Sequence, residues 1–466
     1  MTNLEPLTQK QKKKWNKIIL IILGTVLTVQ FLFIFVYLFD NENNDVDLYG
    51  EILFGDFTLY QNKIYASVPS NGYYMVEQAD IQTFKPISDS YYDKHMAIDK
   101  KNVYCGNQII PTLDPSTTKS IGNNYYFDGQ TAYFCAPNTI QNANLGWRQG
   151  VWKQIQYNFF EGKKPQTYLH STTLLPKSDK PYYAILKSNT ATDGSKAFYD
   201  GEIIPDAIVQ SLHQLDNKYD DSDVRKSRNY FADEQSVYYK TNKLPIKSHE
   251  NLYTFYIENL FNDVYLFDPT SGNVFIGNIS FDKQNAPYKV VSKYGNHVNH
   301  ALFLSKNGVF YYNNQNKNIE KAGENPFLNG NFTEIAPLIF SDGKKTLYLE
   351  SGSIWHNSRS NKSLASRSTY IFQLDENLQA NWVKIGIVSN HHYASVWKNG
   401  DAYFYFDELG DTQLIFHSIY KIKDQSTLQK LLADDIKIDK IRQLKRDKAL
   451  VPVNKTKILE AKTKYY

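Results

Sequence analysis

The feature that most constrains the fold is a stretch of thirteen residues that occurs three times. The copies run from residue 99 to 111, from 193 to 205 and from 233 to 245. Each copy opens with Asp, has Val or Ala four residues later, continues with aromatic residues and closes on Ile or Leu followed by Pro. Because an internal repeat sets the architecture of a chain, this one is predicted to consist of repeated small units.

The local chemistry of the repeat is typical of short β-hairpins. An Asp at the start of a turn accepts hydrogen bonds from the backbone ahead of it, and Val, Tyr and Phe favour strands. Asp-Gly between two apolar runs predicts a two-residue hairpin loop, and the closing Pro ends a strand because it has no N–H to donate. Each unit is therefore predicted as strand, turn, strand, turn, strand. The repeat positions that carry this prediction are Asp99, Val103, Tyr104, Asp193, Phe198, Tyr199, Gly201, Asp233, Tyr238 and Tyr239.

The pattern Asp-x-x-x-Val-Tyr-Tyr-x-Gly-x-x-Ile resembles the DKNYY repeat family, a group of bacterial proteins that have no assigned activity. The copy at Asp193 has the family spacing, and the copy at Asp233 has its Tyr-Tyr pair. The copy at Asp99 departs from it, with Cys105 in place of the second Tyr and Asn107 in place of Gly. The resemblance is clear from residue 91 to 246, and it implies no catalytic residues.

The N-terminal region predicts a single membrane anchor. Residues 1–17 include five lysines, and residues 18–39 contain no charged side chain and are long enough to cross a bilayer as a helix. An acidic spacer is expected at 40–47. Lysines before the apolar run favour a cytoplasmic N-terminus, and no small-x-small cleavage site follows the run. We therefore expect a single-pass protein of the bacterial cytoplasmic membrane, with an uncleaved helix and most of the chain outside the cytoplasm.

The remaining sequence predicts an all-β body at 48–425. The 36 Tyr and 27 Phe of the whole chain favour sheet packing. Closing repeated hairpins into a ring would protect their edges, so a propeller-like arrangement is expected, with an open curved array of hairpins as the alternative. Residues 351–368, rich in Ser, Asn and Arg, are expected to form an exposed loop. Residues 426–466 are expected to contain a short helix that Ser426 caps, followed by a frayed basic tail.

Motifs that would identify an enzyme or a metal site are incomplete in this sequence. The histidines at 297 and 300 lack the spacing of a helical zinc pair, and those at 391 and 392 are adjacent. The acidic segment 216–223 lacks the Gly of a calcium loop, and two Ser-x-x-Lys matches lack their companion motifs. The sequence therefore predicts no catalytic residue, no cofactor and no metal site.

Cys105 and Cys135 lie in successive repeat units, in a region expected outside the cytoplasm, where disulfides persist. If these units pair edge to edge as neighbouring strands, a bridge could form. Aligning Val103 with Ala132, however, puts the two cysteines one residue out of register and on opposite faces. The sequence therefore allows two alternatives, a disulfide between Cys105 and Cys135 or two separately buried thiols.

Three functions fit this reading. A formal net charge of +4 gives no reason to expect nucleic acid. The main expectation is an envelope-anchored binding or scaffold module with a protein or glycan partner. An extracytoplasmic hydrolase with its site at one mouth of the array is the alternative. A regulatory coupling through the short cytoplasmic segment is the third.

Overall fold

The structure is a computed structural model of the chain. It describes residues 18–19, 22–28, 30, 41–160, 162–218, 224–257, 263–291, 298–336, 338–357, 362–375, 378, 381–389, 393–409, 415–416 and 418–465. Within the predicted anchor, residues 18–19, 22–28 and 30 are helical, and the rest of that segment lies outside the described residues. No helix among the described residues combines the length and the apolar character needed to span a bilayer.

The prediction of a mainly β protein is confirmed, in the form of many small antiparallel sheets. The chain divides into two compact units, residues 1–210 and 211–466. Each sheet of the first unit has four strands that follow one another in the sequence. Sheet A contains β1 Glu51–Phe54, β2 Phe57–Tyr60, β3 Lys63–Val68 and β4 Gly72–Met75. Sheet B contains β5 Lys85–Pro86, β6 Met96–Ile98, β7 Val103–Cys105 and β8 Gln108–Ile110. Sheet C contains β9 Lys119–Gly122, β10 Tyr125–Phe127, β11 Ala132–Gln141 and β12 Tyr168–Leu174, and sheet D contains β13 Tyr183–Ala184, β14 Thr190–Thr192, β15 Ala197–Tyr199 and β16 Glu202–Ile203.

The second unit has larger sheets. Sheet E joins two four-stranded halves through a parallel pairing of β17 with β21. Its strands are β17 His213–Lys218, β18 Val224–Ala232, β19 Ser236–Tyr239, β20 Asn242–Lys247, β21 Tyr253–Tyr256, β22 Val264–Phe267, β23 Val274–Ile276 and β24 Ile279–Ser280. Sheet F contains β25 Lys289–Val290, β26 Phe303–Ser305, β27 Gly308–Asn313 and β28 Asn318–Gly323. Sheet G contains β29 Thr333–Ala336, β30 Ile339–Ser341, β31 Thr346–Asn357, β32 Lys362–Leu374, β36 Ile415–Phe416 and β39 Lys455–Lys464. Sheet H contains β33 Trp382–Val388, β34 Ala394–Asn399, β35 Ala402–Asp407, β37 Ile419–Ile422 and β38 Leu450–Pro452.

Four α-helices accompany these sheets. They are α1 Asn41–Tyr49, α2 Trp147–Phe160, α3 Gln425–Leu431 and α4 Ile438–Arg446. Short 3-10 helices lie at Tyr91–Asp93 and Lys283–Asn285.

Sheet B buries both of its faces, one against sheet A and one against sheet C. On β7, Tyr104 packs with Phe57 of sheet A. The residues on either side of it, Val103 and Cys105, pack with Tyr126 of sheet C. Because successive side chains of a strand point to opposite faces, a strand between two sheets is apolar at every position. This explains the Val-Tyr-Cys, Tyr-Tyr-Phe and Ala-Phe-Tyr runs, in which all three residues are buried.

The same face-to-face packing occurs in the second unit. Sheets F and G share a core that includes Leu304 and Leu349. On β35 of sheet H, Phe404 packs towards sheet G, whereas Tyr405 packs towards the C-terminal helices through Leu431 and Ile441. Helices α3 and α4 therefore cover the face of sheet H that is turned away from sheet G.

An Asp opens the tight turn of each repeat by accepting two backbone hydrogen bonds on one carboxylate oxygen. Asp99 Oδ1 accepts from the N–H groups of Lys101 and Asn102, both at 2.7 Å. The same pair of bonds, from the residues two and three positions later, occurs at Asp128, Asp193, Asp233 and Asp342.

At two of these turns the second carboxylate oxygen accepts a hydrogen bond from a buried tyrosine. Tyr104 Oη donates to Asp99 Oδ2 at 2.8 Å, and Tyr238 Oη donates to Asp233 Oδ2 at 3.0 Å. Burial opposes ionisation of Asp99, yet its hydrogen-bond donors outweigh burial and hold the pKa of this carboxyl below its ordinary value. The repeat Asp thus joins the turn to the aromatic core.

The structure differs from the sequence predictions in three segments outside the repeats. The expected spacer at 40–47 falls largely in helix α1, which buries Val46. The expected exposed loop at 351–368 lies largely in the long hairpin of β31 and β32, whose polar side chains include the buried Ser351, Arg367 and Ser368. Serine and arginine suggested exposure to solvent, but Ser351 accepts from the Asn299 N–H, Arg367 donates to the Asn299 carbonyl oxygen and Ser368 donates to Glu460.

The C-terminal segment also differs from the expectation. Helix α3 begins one residue after Asp424, whose Oδ1 accepts from the Thr427 N–H at 2.8 Å, so Asp424 is the cap and not Ser426. The expected tail forms helix α4 and strand β39, which pairs along β32. From Leu459 onward, the buried Leu459, Ala461 and Thr463 alternate with more exposed residues such as Lys462 and Lys464, as in a half-buried strand.

Replacing Asp99 with Ala should lower the free energy of unfolding by about 2 kcal/mol, because three backbone N–H donors, those of Asp80, Lys101 and Asn102, and a buried tyrosine lose a charged acceptor. Asp128→Ala is the matched control. It removes the same turn bonds from a half-buried position, where Tyr133 Oη lies near Thr112 instead. About 1 kcal/mol is expected for it. Urea unfolding followed by fluorescence measures both, and equal losses would contradict a special role for the Asp–Tyr bond.

Candidate functional site

Two cysteines and two histidines meet in the core of the first unit. Cys105 ends β7 of sheet B, and Cys135 lies on β11 of sheet C. The two are joined by a disulfide, with their Cα atoms 6.4 Å apart. His95 lies in the turn before β6, and His170 lies on β12. All four side chains are at most 2% exposed.

The stacking of the sheets explains how these cysteines meet. The repeat register places Cys105 and Cys135 on opposite faces of their units. Sheets B and C lie face to face rather than edge to edge, and both cysteines belong to the core between them. Sheet B contributes the face that is turned towards sheet C, and sheet C contributes the face that is turned back towards sheet B. Because these are opposite faces of the two repeat units, an offset of one residue brings the two sulfur atoms together.

Each histidine has one nitrogen bonded to a backbone carbonyl. His95 Nε2 lies 3.2 Å from the carbonyl oxygen of Cys135, and His170 Nδ1 lies 2.9 Å from that of Ala136. Because a carbonyl oxygen can only accept, these two nitrogens carry the hydrogen. The other nitrogens, His95 Nδ1 and His170 Nε2, are buried and have no hydrogen-bond partner in the part of the chain that the structure describes.

Both imidazoles are held in the neutral form. Burial lowers the pKa of His95 to about 4, and the neighbouring His170 adds to this effect. Burial also lowers the pKa of His170. Their rings stack with centroids 5.6 Å apart. In a neutral imidazole the nitrogen without hydrogen has a lone pair, so this core holds two unpaired acceptors.

The cluster has the composition of a metal-binding or redox site. One nitrogen of His95 and the sulfur atoms of both cysteines lie within 4.8 Å of one another. His170 Nε2 lies directly over Gly106, the residue after Cys105, where a Cβ would come within 2.8 Å of it. Glycine at this position leaves room for the imidazole.

A second polar cluster lies in the second unit around Glu350, which is 4% exposed. Its carboxylate accepts from the hydroxyl of Tyr348, from Ser418 Oγ at 3.0 Å and from Lys455 Nζ. The ammonium of Lys455 also lies over the ring of Phe372, 4.3 Å from its centroid. All three donors converge on one carboxylate oxygen, Oε2 of Glu350.

Asp407 repeats this arrangement on strand β35. Tyr405 Oη donates to it at 3.0 Å, and Lys445 Nζ donates at 2.5 Å from helix α4. Lys445 lies over the ring of Tyr420, 4.9 Å from its centroid. Both carboxylates are neutralised by a lysine and held by a tyrosine two residues earlier. This is the arrangement of a buried structural pair, not of a free acid or base.

The surface of the first unit carries an exposed aromatic helix. Helix α2 lies between β11 and β12, and none of its residues is buried. Trp147 and Phe160 are 71% and 72% exposed, and Trp152 and Phe159 are more than half exposed. No helix is predicted here from the sequence, because Gly150 and a high aromatic content resemble the surrounding β segments.

The repeat residues predicted from the sequence lie in or next to three separate sheets, B, D and E. Phe198 and Tyr199 are buried in sheet D. Gly201 has φ +83° in the hairpin loop, and its N–H donates to the hydroxyl of Tyr125 in sheet C at 3.0 Å. Burial opposes ionisation of Asp193, yet the Ser195 hydroxyl and nearby backbone N–H groups hold its pKa at about 2. These residues build the sheets and connect them.

The structure describes some of the histidines and acidic residues that belong to the incomplete metal-binding motifs of the sequence. His300 is buried, with its ring nitrogens 3.3 Å from Thr369 Oγ1 and 3.0 Å from Thr463 Oγ1. Asp216 pairs with Lys226. His297, His391, His392 and residues 219–223 lie outside the described residues.

The first unit and the start of the second match a known family model. The DKNYY family model matches residues 57–243. This part of the chain belongs to the DKNYY family. The match confirms the resemblance and begins earlier than the repeats suggested, so that it includes most of sheet A. No curated protein and no solved structure matches the chain.

Replacing Lys455 with Met should lower the free energy of unfolding by about 3 kcal/mol, because it leaves the buried carboxylate of Glu350 without its cation. Lys457→Met is the matched control on the same strand. Lys457 pairs with Glu460 at the surface, so a loss below about 1 kcal/mol is expected. Urea unfolding at neutral pH compares the two variants. A Lys455→Met variant as stable as the control would refute the structural pair.

Proposed function

We propose that this DKNYY-family chain is a single-pass membrane protein whose β units form a binding or scaffold module on the outer side of the bacterial cytoplasmic membrane. The lysine-rich segment 1–17 and the uncharged segment 18–39 support the anchor. The exposed aromatic helix α2 supports binding. A short N-terminal segment inside and a large β body outside follow from this topology.

For the finer architecture we propose an open series of stacked sheets in each unit instead of a closed propeller. Face-to-face packing of successive four-stranded sheets is compatible with both. Helices α3 and α4, however, cover a face of sheet H on which a closed ring would place another sheet. Helical caps at the end of a series are typical of open repeat arrays.

The contact surface of this module is helix α2, and its exposed aromatic side chains are the observation that carries the proposal. Trp and Arg are enriched among the residues that dominate binding energy in protein interfaces. Here Trp147 and Trp152 are exposed, and Arg148 lies over the ring of Trp147 at 5.5 Å. Large exposed apolar groups of this kind mark interaction surfaces.

The charge of the helix identifies the chemistry of the partner. Arg148 and Lys153 are the charged residues of helix α2, and the helix contains no acid. The complementary surface is an apolar groove with an acidic rim, which we assign to another protein of the envelope. A helix laid into such a groove is a common recognition mode.

A photo-crosslinking amino acid at position 152 should give a discrete adduct with one envelope protein in intact cells. The adduct should fall by about tenfold in an Arg148→Glu/Lys153→Glu variant, because repulsion replaces attraction at the acidic rim. Ile52, which is 76% exposed on β1, is the matched control position and should give no such adduct. Adducts that are equal at 152 and 52, or labelling of lipid instead of protein, would refute the proposed surface.

Reporter fusions test the topology separately. Alkaline phosphatase fused after Asp47 should be active, because its disulfides form outside the cytoplasm. The same reporter fused after Lys14 should be inactive, whereas a cytoplasmic fluorescent reporter at Lys14 should be bright. The reverse pattern would contradict the orientation and leave the binding surface to be tested by crosslinking.

A further inference from the structure

We propose that His95, Cys105 and Cys135 form a zinc(II) site when the two cysteines are reduced, with His170 as its fourth ligand. Two thiolates and two imidazoles make up a closed four-coordinate zinc site of the structural type. The cysteines and His95 are already within 4.8 Å of one another. Ligand atoms around tetrahedral zinc are about 3.5 Å apart, so these three residues need only small side-chain movements, and the imidazole of His170, which lies outside this group, must move closer to complete the site.

The orphaned nitrogens point to a metal more directly than the residue types do. His95 and His170 each donate one N–H to a backbone carbonyl and keep a buried lone pair with no donor. Metal-bound histidines show this arrangement, in which the carbonyl fixes the tautomer and the second nitrogen faces the ion. A buried acceptor without a partner costs stability, so a ligand for these lone pairs removes a penalty.

The net charge of the bound metal and its ligands decides which metal this buried core can hold. Thiolates are soft ligands that favour zinc(II) or copper(I). Two thiolates and zinc(II) sum to zero charge, whereas copper(I) would leave one negative charge in a core where all four side chains are at most 2% exposed. Zinc(II) is therefore the ion that this core accommodates.

The change between the two states balances as thiol–disulfide exchange followed by metal binding. A dithiol gives two electrons and two protons to the Cys105–Cys135 bond; that bond breaks, and the dithiol closes to its own disulfide. Zinc(II) then displaces the two thiol protons, which leave to solvent, and two zinc–sulfur bonds form. The cross-link between sheets B and C is thus present in both states, as a disulfide or as zinc.

The test uses the full chain, reduced with a dithiol, freed of metal, supplied with zinc and then desalted. One zinc per reduced chain is expected by mass spectrometry of the metal, and none in the reoxidised chain or in a Cys105→Ser/Cys135→Ser variant. Cobalt(II) in place of zinc should show thiolate charge-transfer absorption and tetrahedral ligand-field bands. His170→Gln should weaken zinc binding by about tenfold or more, whereas His213→Gln, at an exposed histidine of β17, should not change it.

Several results would overturn the site. The site is refuted if a reduced, folded chain retains no more zinc than the double serine variant. Octahedral cobalt(II) bands would also refute it, and so would preferential binding of copper(I) when zinc(II) and copper(I) compete directly. If the reduced chain unfolds, zinc alone should restore its circular dichroism, and failure to restore it would refute the proposal. If the double serine variant does not fold, zinc retention is compared between the reduced and the reoxidised wild-type chain. Equal retention in the two would refute the site.

Discussion

The structure depends on burying both faces of small sheets. A small four-stranded sheet has little core of its own, and sheets B and C gain theirs by lying between neighbours. Every position of β6, β7 and β10 is then buried, so these inner strands have no polar face towards the solvent. The unusual number of tyrosines follows, since Tyr fills the space between sheets and its hydroxyl can reach a polar group at the edge. Tyr104 reaches Asp99, and Tyr125 reaches the loop at Gly201.

The turn aspartates complement this packing. A short strand bounded by tight turns has few ladder bonds, so the conformation of the turn must be fixed locally. One carboxylate oxygen does this by binding two N–H groups, and at Asp99 and Asp233 the other oxygen binds a core tyrosine. The repeat therefore couples turn geometry to core packing through a single side chain.

Features set by local chemistry could be predicted from the sequence, and features set by packing between elements could not. The Asp turns and the Asp-Gly loop at Gly201 depend on neighbouring residues alone. The relation of Cys105 to Cys135 depends on whether units meet by edges or by faces, which no local pattern reveals. His95 and His170 lie far apart in the sequence and belong to no motif, so their meeting needed the stack of sheets A to C. The buried Ser351–Arg367 region resembled a loop because its polar side chains bind Asn299, which is distant in the sequence, instead of water.

The order of the strands in each sheet has a consequence for how the two units reach their native state. Sheets A to D are each built from consecutive strands, so their contacts close only short loops. In sheet G, strand β32 pairs with β39, and the whole of sheet H with helices α3 and α4 lies between them in the sequence. Local pairing is fast and distant pairing is slow. The first unit can accordingly assemble step by step along the chain, whereas sheet G remains open at one edge until β39 arrives, and that interval is when the second unit is most exposed to proteases and to misassociation.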